Sequence, residues 1–277
     1  MIILFKSLSV VPLCLLHGIG WILGWMVFLC SATYRQRFLA NAALAGYAFA
    51  SVRGAVASAG RMTTELPRLW MGRPVTCEWD NDACVERAYA AGRGIVFLTP
   101  HMGCFEVSAQ TVGHRYRERH GPLTVLYRPA RQAWLARLMS EARDRPGLNT
   151  APTTLAGVRQ MMRALRNGQA VGLLPDQVPP DGMGQWVPFF GRDAYTMTLS
   201  ARLAQQTGAT VLLMWGERLS FGRGFRLHFR ELDRPLRTDG IDAAVLQINQ
   251  EMERLIRECP AQYLWAYARY KQPRRET

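Results

Sequence analysis

A histidine and a carboxylate, His101 and Glu106, lie five residues apart directly after an apolar segment. Residues 94–100 read Gly-Ile-Val-Phe-Leu-Thr-Pro, and an apolar run bounded by glycine and proline is typical of a buried strand. Open α/β sheets place their chemistry at the carboxyl ends of such strands. A carboxylate that accepts a hydrogen bond from one imidazole nitrogen fixes the tautomer and leaves the other nitrogen to take a proton. We therefore predict that His101 is a general base and that Glu106 orients it.

The spacing of this pair constrains the local backbone. Inside one α-helix, five steps of about 100° would put His101 and Glu106 on different faces. The two side chains meet only if His101 precedes a helix and Glu106 belongs to its first turns. Pro100 and Gly103 favour such a turn, and the N-terminus of the helix would favour negative charge that develops nearby.

Residues 85–218 repeat one arrangement three times: a helix that ends at a glycine, an apolar strand, and polar residues after the strand. Strands are predicted at 95–98, 170–174 and 210–215, and a further strand at 123–127. Glycine suits the C-terminal cap of a helix, and strands that alternate with helices indicate a largely parallel sheet covered on both faces. The polar residues expected along one edge of this sheet are His101, Arg128, Asp176, Gln177, Glu217 and Arg218.

The remaining elements fit an α/β fold with a mostly parallel central sheet flanked by helices. Residues 37–73 are predicted to be helical, 221–230 alternate apolar and polar residues like a strand, and 242–258 form an amphipathic helix. We divide the chain into an N-terminal membrane anchor, residues 1–34, and one catalytic domain, residues 35–277.

The composition of the chain restricts its class and its partners. The 277 residues are 49% hydrophobic, which argues for a folded core and against disorder. The net charge of +13 fits an anionic membrane surface, an acidic protein partner or nucleic acid. The cysteines are scattered without metal or redox spacing, so neither a zinc site nor a disulfide framework is predicted; they are Cys14, Cys30, Cys77, Cys84, Cys104 and Cys259.

The N-terminal segment is long and apolar enough to enter a membrane. No charged residue occurs between Ser7 and Tyr34, and residues 10–30 match the roughly 20 apolar residues that cross a bilayer. A cleaved signal peptide fits poorly, because the run is too long and lacks a clear cleavage site, and a buried soluble helix would be unusually apolar. We favour an anchor that either spans the bilayer or lies partly in one leaflet. The arginines that follow it place the downstream domain on the cytoplasmic side; they are Arg35, Arg37, Arg53 and Arg61.

The His-x4-Glu pattern after an apolar strand resembles the His-x4-Asp/Glu signature of the lysophospholipid and glycerolipid acyltransferases. More specifically, the chain resembles the lauroyl and myristoyl transferases of lipid A biosynthesis in Gram-negative bacteria. The segments that carry this resemblance are 126–129 (Leu-Tyr-Arg-Pro), 174–177 (Leu-Pro-Asp-Gln), 187–191 (Val-Pro-Phe-Phe-Gly), 207–209 (Thr-Gly-Ala) and 262–271. One segment departs from the family, whose C-terminal Trp-x-His-Arg-Arg-Phe-Lys reads Trp-Ala-Tyr-Ala-Arg-Tyr-Lys at 265–271.

The resemblance implies O-acyl transfer from a thioester, on acyl carrier protein or coenzyme A, to a hydroxyl of a membrane glycolipid of the lipid A type. The reaction would take place on the cytoplasmic face of the inner membrane, without a metal or cofactor. His101 would take the proton of the acceptor hydroxyl, and backbone N–H groups near Gly103 are candidate donors to the oxyanion. Arg128 would bind a phosphate of the acceptor or of the donor. Asp176 and Gln177 are predicted to bind substrate.

Weaker candidates and rival functions remain at this point. Cys104 is a possible nucleophile that the reaction does not require, residues 186–190 are a candidate acyl groove, and Arg192 and Arg218 are minor anion-binding candidates. The acceptor could be another lipid, such as a lysophospholipid or an aminolipid. A non-enzymatic basic protein that binds membrane or nucleic acid explains the charge but not the strands that end in polar groups, and we expect no nucleic acid. An α/β hydrolase is unsupported, because no Gly-x-Ser-x-Gly motif occurs.

Overall fold

The computed structural model describes residues 2–127 and 146–274, in which nine strands and eleven α-helices are defined. The strands are β1 Cys77–Asp80, β2 Ile95–Leu98, β3 Leu123–Tyr127, β4 Leu148–Pro152, β5 Ala170–Leu173, β6 Gly184–Phe189, β7 Arg192–Met197, β8 Thr210–Arg218 and β9 Phe225–Glu231. The helices are α1 Ile2–Ser9, α2 Leu13–Cys30, α3 Ala32–Leu44, α4 Phe49–Val52, α5 Gly54–Thr64, α6 Leu66–Met71, α7 Ala83–Ala90, α8 Phe105–His120, α9 Leu155–Arg166, α10 Leu199–Thr207 and α11 Ile241–Glu258. Short 3₁₀ turns occupy Ser220–Gly222 and Pro260–Gln262.

Seven strands form one sheet in the order β1-β9-β8-β2-β5-β3-β4, and β6 and β7 form a separate antiparallel hairpin. The five strands from β8 to β4 are parallel. β9 pairs antiparallel with β8, and β1 pairs with β9 in parallel. The predicted α/β fold with a mostly parallel central sheet is therefore confirmed. The strand expected at 221–230 begins only at Phe225, because residues 220–222 form a 3₁₀ turn.

A glycine with positive φ follows each of the three predicted helices within two residues, as the sequence indicates; these are Gly92, Gly168 and Gly208. α10 is followed by Gly208, which adopts the left-handed conformation with φ of 68° that a C-terminal cap requires. The start of α9 is also fixed locally, because the Thr154 side chain accepts a hydrogen bond from the backbone N–H of Gly157. Such local signals explain why the limits of these helices could be predicted to within a few residues.

Two apolar layers cover the sheet. One joins the sheet to α3–α5 and α9–α11, and the other joins its opposite face to α6, α7 and α8. Every residue of β2 is fully buried, as expected for the centre of a parallel sheet with helices on both faces. The loop that follows β2 is therefore attached to a fully buried strand.

The N-terminal apolar segment forms two helices, α1 and α2, separated near Pro12. Within the described residues, α2 is the one helix long and apolar enough to cross a membrane. Small residues let α2 approach α5 closely, since a Cβ added at Gly60 would lie 2.0 Å from the carbonyl oxygen of Gly20. Its buried residues extend from Leu13 to Phe28, so α2 packs on the domain along its length.

Candidate functional site

The order of the strands brings His101 and Asp176 together. β2 and β5 are neighbouring parallel strands, and Leu98 is aligned with Leu173. His101 lies three residues after Leu98, and Asp176 lies three residues after Leu173. Both residues therefore leave the sheet side by side at its carboxyl edge, where open α/β sheets bind their ligands.

Asp176 holds His101 through two hydrogen bonds. Its Oδ1 lies 2.7 Å from Nδ1 of the imidazole, and its Oδ2 accepts from the backbone N–H of His101 at 2.9 Å. A carboxylate only accepts hydrogen bonds, so the proton of the neutral imidazole is on Nδ1. Nε2 then carries the lone pair. The side chain of His101 keeps 17% of its surface exposed, whereas that of Asp176 keeps 2%.

The surroundings of Asp176 keep it ionised despite its burial. Burial raises the pKa of this carboxyl, but the charge of His101 when its ring is protonated, the two hydrogen bonds from His101 and the charge of Arg269 together lower the pKa below its usual range. Arg269 is itself buried and donates to the carbonyl oxygen of Tyr195 and the hydroxyl of Thr196 on β7. The carboxylate therefore has a fixed negative charge with which to stabilise a protonated imidazole.

Glu106 lies close by in sequence but has a different hydrogen-bond partner from the expected one. It is buried in the first turn of α8, where its Oε2 accepts from Nε1 of Trp70 at 3.4 Å. The hydrogen bonds of the His101 ring and of its backbone N–H go to Asp176 instead. The orienting contact of Nδ1 is thus with Asp176, because β2 and β5 are neighbouring strands and their carboxyl ends place the two residues side by side. A role for Glu106 in the site stays a prediction.

The other predicted binding residues have different outcomes. Arg128 lies outside the described residues. Gln177 directly follows Asp176 in the loop after β5 and is half-buried. Arg192 places its guanidinium 5.0 Å from the ring centre of Tyr270. Arg218 is buried, and its guanidinium donates to groups of the protein.

The backbone N–H groups near Gly103 do not match their expected role as oxyanion donors. The N–H groups of residues 102, 103 and 104 donate to the carbonyl oxygens of Pro100, Gln262 and Gly216 at 2.7, 3.0 and 2.8 Å. They are therefore used to fix the loop. The next N–H groups along the chain belong to α8, whose N-terminal cap residue, Cys104, makes no side-chain capping hydrogen bond. These first-turn N–H groups are better candidates for a developing negative charge.

The C-terminal segment holds the loops that carry His101 and Asp176, a role that sequence reasoning missed. Leu264 donates its backbone N–H to the carbonyl oxygen of His101 at 3.1 Å, and the Tyr267 hydroxyl accepts from the N–H of Val178 at 3.0 Å. The sequence signal for this role is the high density of aromatic residues at 262–271, which is typical of a segment packed against the protein.

A buried ion pair supports the other side of the His101 loop. Arg218, at the end of β8, binds both carboxylate oxygens of Glu65 at 2.6 and 2.7 Å and also donates to Ser58 and to the carbonyl oxygen of Gly103. Nε2 of His17, on α2, lies 3.0 Å from the same carboxylate. Burial raises the pKa of Glu65, but Arg218 and His17 outweigh it and lower the pKa to about 2. Arg218 is therefore a structural residue rather than a ligand for substrate.

Two weaker candidates can also be placed. Cys104 is buried, and burial followed by the charge of Glu65 raises its pKa well above the usual range, which disfavours the nucleophilic thiolate. In the segment 186–190, Val187, Phe189 and Phe190 belong to the core, while Trp186 is partly exposed. Among the described residues, no group of three His, Cys, Asp or Glu side chains could hold a metal ion.

These features define an α/β protein in which Asp176 orients a partly exposed histidine at the carboxyl edge of the sheet. The family model described as bacterial lipid A biosynthesis acyltransferase matches residues 1–272. The chain belongs to this family.

Individual relatives are more distant. The chain is 27% identical to the lipid A biosynthesis palmitoleoyltransferase of Escherichia coli (strain K12) over 188 residues, which are 68% of this chain and 59% of that protein. It is 26% identical to the lipid A biosynthesis lauroyltransferase of the same organism over 218 residues, 76% of this chain and 68% of that protein. A lipid A biosynthesis acyltransferase of Haemophilus influenzae is 23% identical over 181 residues, 65% of this chain and 55% of that protein. The chain thus spans less than two thirds of the palmitoleoyltransferase it matches.

Proposed function

We propose that this protein transfers a fatty acyl chain from an acyl thioester to a hydroxyl of a lipid A-type glycolipid precursor. The observation that carries the proposal is the His101–Asp176 pair at the carboxyl edge of the sheet, in a chain that belongs to the lipid A acyltransferase family. A hydroxyl is a weak nucleophile at neutral pH, and a positioned base accelerates its reaction by about 10²–10⁴-fold.

The proposed reaction is a direct acyl transfer through one tetrahedral intermediate. Nε2 of His101 takes the proton of the acceptor hydroxyl while the hydroxyl oxygen attacks the thioester carbonyl. The tetrahedral intermediate collapses by breaking its C–S bond, and the proton on Nε2 goes to the departing thiolate. The products are an ester and a free thiol. Asp176 stabilises the imidazolium that forms between the two proton transfers.

The N-terminus of α8 would stabilise the oxyanion. α8 begins at Phe105, four residues after His101, and extends for 16 residues. The N–H groups of its first turn and its macrodipole both favour negative charge at this end. Glu106 belongs to the same turn, and we propose that it contributes to substrate binding or to the position of this turn.

We propose acyl carrier protein as the carrier of the thioester, because the net charge of +13 suits an acidic protein partner. Acyl-CoA is the alternative donor. Paired assays with the same acyl chain on each carrier would test this choice, and a lower kcat/KM for the carrier-protein form than for the coenzyme A form would refute it.

We also propose that α1 and α2 attach the protein to the cytoplasmic face of the inner membrane. α2 buries one face against α5 and exposes apolar side chains on the other. Because the buried face continues from Leu13 to Phe28, a helix lying in one leaflet against the domain fits better than an isolated span. The expected positive-inside pattern of the arginines that follow supports the cytoplasmic side.

Replacement of His101 tests the proposed activity. His101→Ala should abolish acyl transfer, because it removes the nitrogen proposed to accept the hydroxyl proton, while the protein still folds and binds membranes. The assay is mass spectrometry of the glycolipid product formed from purified acceptor and acyl thioester, with thermal unfolding as the control for folding. Turnover at the wild-type rate in His101→Ala would refute the mechanism.

A further inference from the structure

The turn between β8 and β9 packs against the first turn of α2. A Cβ added at Gly222 would lie 2.4–2.8 Å from backbone and side-chain atoms of Cys14, so the backbones of the turn and of α2 are in direct contact. β8 is parallel to β2, so this turn leaves the sheet at the same edge as His101. The turn therefore lies beside the first turn of α2 and leaves the sheet on the side that carries His101.

The exposed face of α2 is apolar along the whole helix. Five of its seven large exposed apolar side chains recur at intervals of three and four residues and so form one stripe; they are Leu15, Ile19, Ile22, Met26 and Leu29, with Trp21 and Val27 beside them. An apolar stripe of this length on a protein surface marks a contact with membrane or with another protein. Two exposed cations belong to the adjoining elements: Lys6 on α1, which precedes α2 in the chain, and Arg223 in the turn that contacts Cys14.

Phe221, at the tip of the turn, is exposed in an unfavourable backbone conformation. Its side chain is 91% exposed, the highest value among the large apolar residues of the described chain. Its φ of 57° lies in the left-handed region that favours glycine and disfavours a bulky side chain. An exposed ring on a strained backbone stabilises nothing in the fold, and such outliers cluster at functional positions.

We propose that this turn is a second membrane-contact site, in which the Phe221 ring enters the acyl layer beside α2 and Arg223 faces lipid phosphates. The proposal rests on the membrane attachment through α2 proposed above. An aromatic ring at a headgroup boundary next to a cation is the combination that interfacial sites use, and the anionic surface of a cytoplasmic leaflet complements the basic chain. Two contacts, α2 and the turn, would fix the orientation of the His101 side of the sheet relative to the bilayer.

The substitution Phe221→Gly tests membrane binding without loss of folding stability. Phe221→Gly removes the ring and places the residue that prefers this φ, so the unfolding temperature should stay the same or rise. The full-length protein would be mixed with vesicles of phosphatidylethanolamine and phosphatidylglycerol, and its partition coefficient measured by sedimentation. Loss of a buried phenylalanine ring should lower the coefficient roughly tenfold, and the matched control Phe221→Leu should keep most of the binding.

A photo-crosslinking residue gives an independent readout. Benzophenone at position 221 should form adducts with lipid acyl chains, whereas benzophenone at Arg93, an exposed residue at the opposite edge of the sheet, should not. Equal partition of wild type and Phe221→Gly, or equal lipid adducts at the two positions, would overturn the proposed site. Failure of the wild-type protein itself to bind vesicles would refute membrane attachment as a whole. Loss of turnover by Phe221→Gly on acceptor in detergent micelles would show that the turn serves the active site instead.

Discussion

Replacement of Asp176 by asparagine should reverse the tautomer of His101. The carboxylate now accepts two hydrogen bonds, from the backbone N–H of His101 at 2.9 Å and from the ring Nδ1 at 2.7 Å. The backbone N–H can only donate, so the amide oxygen of an asparagine must face it. The amide NH₂ then faces Nδ1, which must become an acceptor. The ring proton moves to Nε2, and the nitrogen that should take the hydroxyl proton already carries one.

The size of the effect follows from this reversal. The comparable Asp-to-Asn change in serine proteases, which leaves geometry intact but favours the wrong tautomer, lowers kcat by about 10⁴-fold. We expect Asp176→Asn to lose about 10³–10⁴-fold in kcat, or roughly 4–5.5 kcal/mol of transition-state stabilisation. Because Asp176 is buried and bonded to His101, the loss should fall on kcat more than on KM, and the shape-conserving substitution should leave the fold intact.

Two assays would test this prediction together. Initial rates of acyl transfer would be compared for wild type, Asp176→Asn and Glu106→Gln, and ¹⁵N-labelled histidine would report the tautomer. The chain has five histidines, so the His101 signal can be assigned by its loss in His101→Gln. We expect the Nδ1–H form in wild type and in Glu106→Gln, and the Nε2–H form in Asp176→Asn.

The opposite pattern would refute the reasoning. If Glu106→Gln changes the tautomer and Asp176→Asn does not, then Glu106 orients His101 as the spacing in the sequence first indicated. If Asp176→Asn retains more than about a tenth of wild-type kcat, a loss of less than 1.4 kcal/mol, then no oriented base is needed.

Two further predictions concern buried groups around the site. Glu65→Gln should destabilise the protein by about 3–5 kcal/mol, because it leaves Arg218 buried without its charge partner. The pKa of Glu65 falls from its ordinary 4.5 to about 2, so its contribution is complete above pH 4.5 and is lost as the pH falls towards 2. Thermal unfolding of both proteins should therefore converge at low pH, and a constant difference would contradict the assignment. Cys104→Ala should retain most acyl transfer and show no covalent acyl adduct by intact-mass analysis, because the buried thiol has a raised pKa; loss of turnover in a folded variant would restore Cys104 as a nucleophile.

The sequence located both members of the His–Asp pair but not their contact. Apolar runs bounded by glycine mark β2 and β5, and a polar residue follows each run at the same distance. The spacing of His101 and Glu106 suggested a contact with Glu106, whereas Nδ1 of the ring is bonded to Asp176. The sequence shows local spacing but not strand order, so the Asp176 contact could not be predicted. That β2 lies between β5 and β8 depends on tertiary packing. The β6–β7 hairpin was missed for a related reason, since its Pro188 and Gly191 resemble a loop.

The Glu65–Arg218 pair connects the helix that we propose to bind membrane with the loop that carries the base. His17 belongs to α2, Glu65 follows α5, and Arg218 donates to the carbonyl oxygen of Gly103, two residues after His101. A buried ion pair costs desolvation free energy and is weak evidence for stability by itself. Its geometric effect is clearer, because a bidentate guanidinium allows little movement between the groups it joins. We infer that α2 and the His101 loop move as one unit, so the position of α2 in the membrane would also set the position of His101 relative to the lipid hydroxyl.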